Sequence, residues 1–131
     1  MDQLNSYIKE LEEDVKIDEL NLKEAALMLP ARKAKWVSRL IIEKNNLNDL
    51  QKERTRIIND VVEEIKKESQ VRLATPTLEK AAEKHGKVVS IAQEIARKQN
   101  IIEFLERVEK TIHSIGFDIK NLIEVIKMET S

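Results

Sequence analysis

Arg32, Lys33, Lys35 and Arg39 crowd around Trp36, the only tryptophan in the chain. No acidic residue lies between Ala25 and Ile42, although the 131-residue chain has a formal charge of −1. Positive charge beside an aromatic side chain suits an anionic ligand, with single-stranded nucleic acid high among the candidates. On a helix Arg32, Lys35 and Arg39 stack along one side at spacings of three and four, with Lys33 off that line. Each phosphate they neutralise would release counterions, so affinity would fall with salt. Lys44, Lys52, Arg54 and Arg56 extend the track, diluted by Glu43, Asp49 and Glu53. The bland alternative is a solvated helix face. Trp36 itself shares an apolar stripe with Leu29 and Leu40, which assigns it to the core and leaves the binding to the cations.

Other chemistries lack their residues. The only histidines are His85 and His113, and neither has a carboxylate or thiol at metal-ligand spacing. Glu12-Glu13 and Glu63-Glu64 point to different helix faces within each pair. Two glycines cannot build a phosphate-cradling loop. These absences predict a protein that is not an enzyme and needs no metal or cofactor. The chain has no cysteine, which suits a reducing cytosol. It begins without the basic and apolar regions of a signal peptide and has no bilayer-length apolar run. A soluble, intracellular protein with no membrane partner is expected.

The elements that must position these cations are helices. Two Gly, two Pro and 36% charged residues describe an all-α chain. With aromatics at only 3%, the core must come from Leu, Ile, Val and Ala. Such a thin core suits an oligomer. Leu4, Ile8, Leu11 and Val15 predict a short first helix within an acidic arm, where residues 1–24 hold eight acids against three lysines. Asp18 is the predicted N-cap of a long helix reaching Lys67, kinked at Pro30. Ser69 to Thr75 forms the turn, with Thr75 as N-cap and Pro76 at the first helical position. Leu78, Ala81, His85, Val88, Ala92, Ile95, Gln99 and Ile102 form a heptad-like seam passing Gly86. Past Ile102 the face shifts to Leu105, Val108, Ile112 and Ile115. Gly116 reads as a left-handed C-cap, and Asp118 as the cap of a short last helix bearing Ile119, Leu122, Ile123 and Ile126. Together with Phe117, these apolar residues are the predicted oligomerisation surface. The whole is an extended helical hairpin with a short C-terminal oligomerisation helix, divided into residues 1–74 and 75–131.

The chain resembles the UvsY family, the recombination mediators of T4-like bacteriophages. The resemblance rests on Leu11 through Asp18, the Glu24-Ala25-Ala26 step, Lys35-Trp36, the run Ser114 to Lys120, and Ile123. It covers both ends of the chain and leaves roughly residues 45–87 unaligned. It implies a non-enzymatic, single-stranded-DNA-binding mediator in the cytoplasm of the infected bacterial host. Its partners would be a RecA-like recombinase and the single-stranded-DNA-binding protein that the recombinase displaces. It further implies a hexameric or heptameric ring joined through the C-terminal region. The family's Lys-x-Arg DNA-binding spacing finds its nearest counterpart in Arg54-Thr55-Arg56. A prefoldin-like subunit or coiled-coil scaffold without nucleic-acid binding is the competing reading. It explains the seam and the apolar tail but leaves the cations unused, and Ser69 to Thr75 is too short for a prefoldin-type strand insert.

Overall fold

The computed structural model describes residues 2–130 and builds them into four helices. These are α1 (Gln3–Asp14), α2 (Leu22–Glu68), α3 (Thr75–Glu83) and α4 (Gly86–Thr130). No strand occurs among the described residues, and the all-α expectation holds.

Local chemistry explains where the helices start. The Asp18 carboxylate accepts from the Leu20 and Asn21 amides, and the Asn21 side chain accepts from the Asp18 amide at 2.8 Å. This reciprocal box closes one turn, and α2 then begins at Leu22, slightly later than expected from Asp18 itself. Pro30 does not end the 47-residue helix. It removes one backbone donor in the third turn, and the apolar stripe on both sides holds the helix together.

Three boundaries differ from the sequence expectation. Thr75 is not a cap: Ala74 takes that position with extended backbone and accepts from the Leu78 amide at 3.1 Å. Thr75 and Pro76 are the first residues inside α3. Gly86 does not lie in a helix interior, because α3 ends at Glu83 and Gly86 is the first residue of α4. The His85 ring Nδ1 accepts from the Lys87 amide at 3.1 Å, so this histidine caps α4 instead of occupying a seam. Finally, Gly116 does not stop a helix. No glycine has positive φ, and α4 runs unbroken to Thr130. The C-terminal segment is therefore the last part of a 45-residue helix and not a separate short one.

The buried stripe of α4 runs Val88, Ile91, Ile95, Ile102, Leu105, Val108, Ile112, Ile115 and Ile119. Its steps alternate three and four, with Lys98 in the slot between Ile95 and Ile102. Two successive steps of three at Ile102–Leu105–Val108 place the phase change close to where the sequence put it. The expected seam was one residue out elsewhere. Ala82, Ile91 and Lys98 are turned inward, and Ala81, Ala92 and Gln99 are exposed.

Packing divides the chain into two units, Met1–Ile42 with Ile101–Ser131, and Glu43–Asn100. The boundary expected at 74/75 falls inside the second unit, because each unit draws on both α2 and α4. In the first, Ala25, Ile115 and Ile119 pack with Val15, Ile17, Leu22, Ala26 and Leu29. Trp36, 1% exposed, meets Tyr7 and Phe104 edge-to-face at 5.7 and 6.5 Å. In the second, Val61, Ala82 and Val88 form a core with Ile57, Ile58, Val62 and Ile65. There Glu43, 4% exposed, meets Lys98 at 2.6 Å.

Candidate nucleic-acid interface

Three of the cations around Trp36, namely Arg32, Lys35 and Arg39, sit one to two turns apart on α2 and face α1. Helix α1 buries none of its own residues completely. It turns Tyr7, Glu10, Leu11 and Asp14 inward, and Ile8, expected on the apolar face, is exposed. Asp14 closes α1 and gathers three partners. Its carboxylate accepts from Lys35 Nζ at 2.5 Å and from the Trp36 indole Nε1–H at 2.8 Å. Arg32 Nε stands 3.6 Å from the same carboxylate, and an Arg32 guanidinium N–H donates to the Asp14 carbonyl at 3.2 Å. The last turn of α1 has no basic residue of its own, so α2 supplies the positive charge that the helix C-terminus favours.

Glu10, one turn earlier, accepts from Arg39 at 2.8 Å and pairs with Lys35 at 2.6 Å. Burial pushes its pKa upward. The hydrogen bonds and charges of Arg39 and Lys35 outweigh that and hold it below the ordinary carboxylate value. The Arg39 guanidinium carbon lies 4.8 Å from the ring centroids of both Tyr7 and Trp36, and Lys35 Nζ lies 5.2 Å from that of Trp36. Three cations, two carboxylates and two aromatic rings thus form one cluster.

The structure therefore sorts the eight sequence-predicted cations. Arg32, Lys35 and Arg39 are brought together and paired with α1. Arg56 is paired with Glu53 and Asp60 on its own helix. Lys33, Lys44 and Lys52 are exposed and make no ion pair among the described residues. Arg54 is likewise unpaired but half-buried, beside the apolar face of α2. Trp36 is a core residue, as its place on the apolar stripe indicated.

Glu10, Asp14 and Tyr7 were missed as site residues. The signal was present: two carboxylates spaced i, i+4 on a short helix just before an acid-free cationic stretch.

The C-terminal set also separates. Ile119 is buried against Ala25 and Ile115 of its own chain, and Leu122 and Ile126 continue that inner stripe half-buried. Phe117 lies on another face, where Val125 and Met128 are also exposed; Ile123 falls between the two. The Phe117 ring meets His113 edge-to-face at 5.4 Å.

Among the described residues no cluster of His, Cys, Asp or Glu could hold a metal ion, and no helix is long and apolar enough to cross a membrane. The class is thus an all-helical protein built on two long helices, with a cationic, aromatic-containing stretch on the first of them. The chain matches the family model described as "Recombination, repair and ssDNA binding protein UvsY" over residues 10–131. It belongs to the UvsY family. Crystal structures of the bacteriophage T4 recombination mediator protein UvsY share its fold. The lattice type IV structure matches with a TM-score of 0.82 at 19% identity, covering 96% of this chain and 98% of that one. Lattice type II gives 0.82 at 16% identity over the whole of both chains. Lattice type I gives 0.79 at 17% identity, covering 98% and 99%. No curated protein sequence matches the chain.

Proposed function

We propose that this chain is a single-stranded-DNA-binding recombination mediator, acting without catalysis. It helps a RecA-like recombinase load onto DNA covered by single-stranded-DNA-binding protein, in the cytoplasm of an infected bacterial host. The observation that carries this reading is the family match across residues 10–131. The open cations of α2 supply a physical basis for it. Lys33 and Lys44 lie three turns apart on the same side of the helix, with Lys52 and Arg54 farther along. None of the four is neutralised by an acid among the described residues.

A few phosphate contacts bind weakly at physiological salt. A homo-oligomeric ring, hexamer or heptamer, would multiply them and raise avidity without any new contact type. The exposed Phe117, Val125 and Met128 on α4 offer that assembly an apolar surface.

The test is anisotropy of a labelled oligo-dT against salt, for the wild type and for K33A/K44A/K52A. The wild type binds with a clear salt dependence. The triple variant binds more weakly, with a log–log salt slope shallower by about 2 if each lysine meets one phosphate. Sedimentation checks that assembly is unchanged. No binding near ~50 mM salt would overturn the reading in favour of the coiled-coil scaffold.

A further inference from the structure

Arg32, Lys35 and Arg39 already have anionic ligands, and both come from the chain itself. Glu10 and Asp14 stand one helical turn apart, about 5–6 Å between Cβ atoms. They present two negative charges to Arg32, Lys35 and Arg39. A run of phosphates on a single strand would ask for the same partners. Tyr7, on the same helix, lies against Arg39 and Trp36, where a nucleobase would find a ring and a guanidinium to stack on.

We propose that α1 is an intramolecular occupant of a second single-stranded-DNA site, formed by Arg32, Lys35, Arg39 and Trp36, and that a phosphate backbone binds there by displacing it. This rests on the reading that the chain binds single-stranded DNA, and it adds how part of the binding surface is governed.

Several observations make α1 the element that yields. It is 12 residues long and buries none of them completely, and a helix of that length is marginal on its own in water. It is held by ion pairs whose cations stay partly open to solvent, at 20%, 31% and 27% for Arg32, Lys35 and Arg39. Such pairs are individually weak and are screened by salt. The α2 side of the cluster is firmer. Trp36 keeps its edge-to-face contact with Phe104 on α4 when α1 leaves. The cations already stand at their three- and four-residue spacing on a continuous helix, so they need no rearrangement to receive phosphates.

Two consequences are measurable. The site is available only for the fraction of time that α1 is undocked, so apparent affinity is reduced by that fraction. DNA binding and α1 docking are also reciprocal: each opposes the other by the same factor.

The experiment compares oligo-dT affinity for the wild type, E10Q/D14N, and E12Q/E13Q. The last neutralises two exposed acids of α1 that do not face the cations, so it matches the change in net charge. E10Q/D14N should bind about tenfold more tightly than the wild type, and E12Q/E13Q should show little of that gain. Because the neutralised carboxylates also support packing, the wild type supplies a second readout. On adding oligo-dT, amide exchange in α1 should accelerate while the neighbouring amides of α2 and α4 stay protected. Trp36 emission should shift to the red as it loses Asp14 and Tyr7. Equal gains in both double variants, or DNA binding with α1 protection and Trp36 emission unchanged, would overturn the proposal and leave DNA binding standing. No binding by any of the three proteins would overturn the functional reading and this proposal with it.

Discussion

Trp36 illustrates how far residue types and spacing carry. Its place on the stripe with Leu29 and Leu40 identified it as core, and it is almost wholly buried. What spacing could not show is that its indole N–H needs an acceptor once buried, and that Asp14, far back in the sequence, provides it. The same tertiary contact turned Arg32, Lys35 and Arg39 from a free belt into a paired one. Glu10 gives this contact a pH dependence. Its pKa is lowered by Arg39 and Lys35 from an ordinary 4.5, so the carboxylate stabilises the docked α1 fully above about 4.5. That contribution is lost as the pH falls through the lowered, folded-state value. Trp36 emission should therefore hold steady from neutral pH down to about 4.5 and change below it. E10Q should lose the part of the acid transition that belongs to this group. Superimposable acid limbs for the two proteins would show that Glu10 does not anchor α1.

Helix existence was legible in the sequence, and helix ends were less so. The apolar period of α2 and the scarcity of breakers were enough to find a helix of nearly the right length through Pro30. The errors lie at Thr75, Gly86 and Gly116: at Thr75 and Gly116 a strong local preference was overruled by its surroundings, whereas at Gly86 the break between α3 and α4 follows glycine's own preference. Gly116 is the clearest case. Glycine often ends a helix because it alone enters the left-handed region cheaply, but here the inner stripe continues through Ile115 and Ile119 and keeps the backbone helical. The residue then retains only the cost of glycine within a helix. A Cβ built at Gly116 would meet Leu29 Cδ2 at 3.7 Å, an ordinary van der Waals separation. G116A should accordingly stabilise the protein by about 0.5–1 kcal/mol, read as a higher denaturant midpoint at unchanged m-value. A left-handed glycine at this position would give the opposite sign.

At the scale of the whole molecule, the chain's return on itself was foreseeable from the Ser69–Thr75 turn. The division into units was not, because it follows which segments of α2 and α4 pack together and not where the chain turns. The two faces near the C-terminus have separable consequences. Replacing Phe117, Val125 and Met128 by Ser should reduce the sedimenting mass and leave the helical circular-dichroism signal nearly unchanged, since all three side chains are exposed within the single chain. Ile119→Ala should instead cost about 2–4 kcal/mol of stability, because Ile119 closes an intrachain core. A stable, full-size assembly from the triple variant would send the oligomer contact elsewhere. The pair between buried Glu43 and half-buried Lys98 also bears on helix register. Apolar steps repeating every three and four residues would let two helices slide by a heptad at little cost. Sliding by a heptad would set Glu43 against Ile91 or Leu105 and leave a buried carboxylate with no countercharge, which is strongly unfavourable. One ion pair in an otherwise greasy interface thus works as an alignment key. If chains exchange helices while assembling, the same key admits only the alignment found within a single chain.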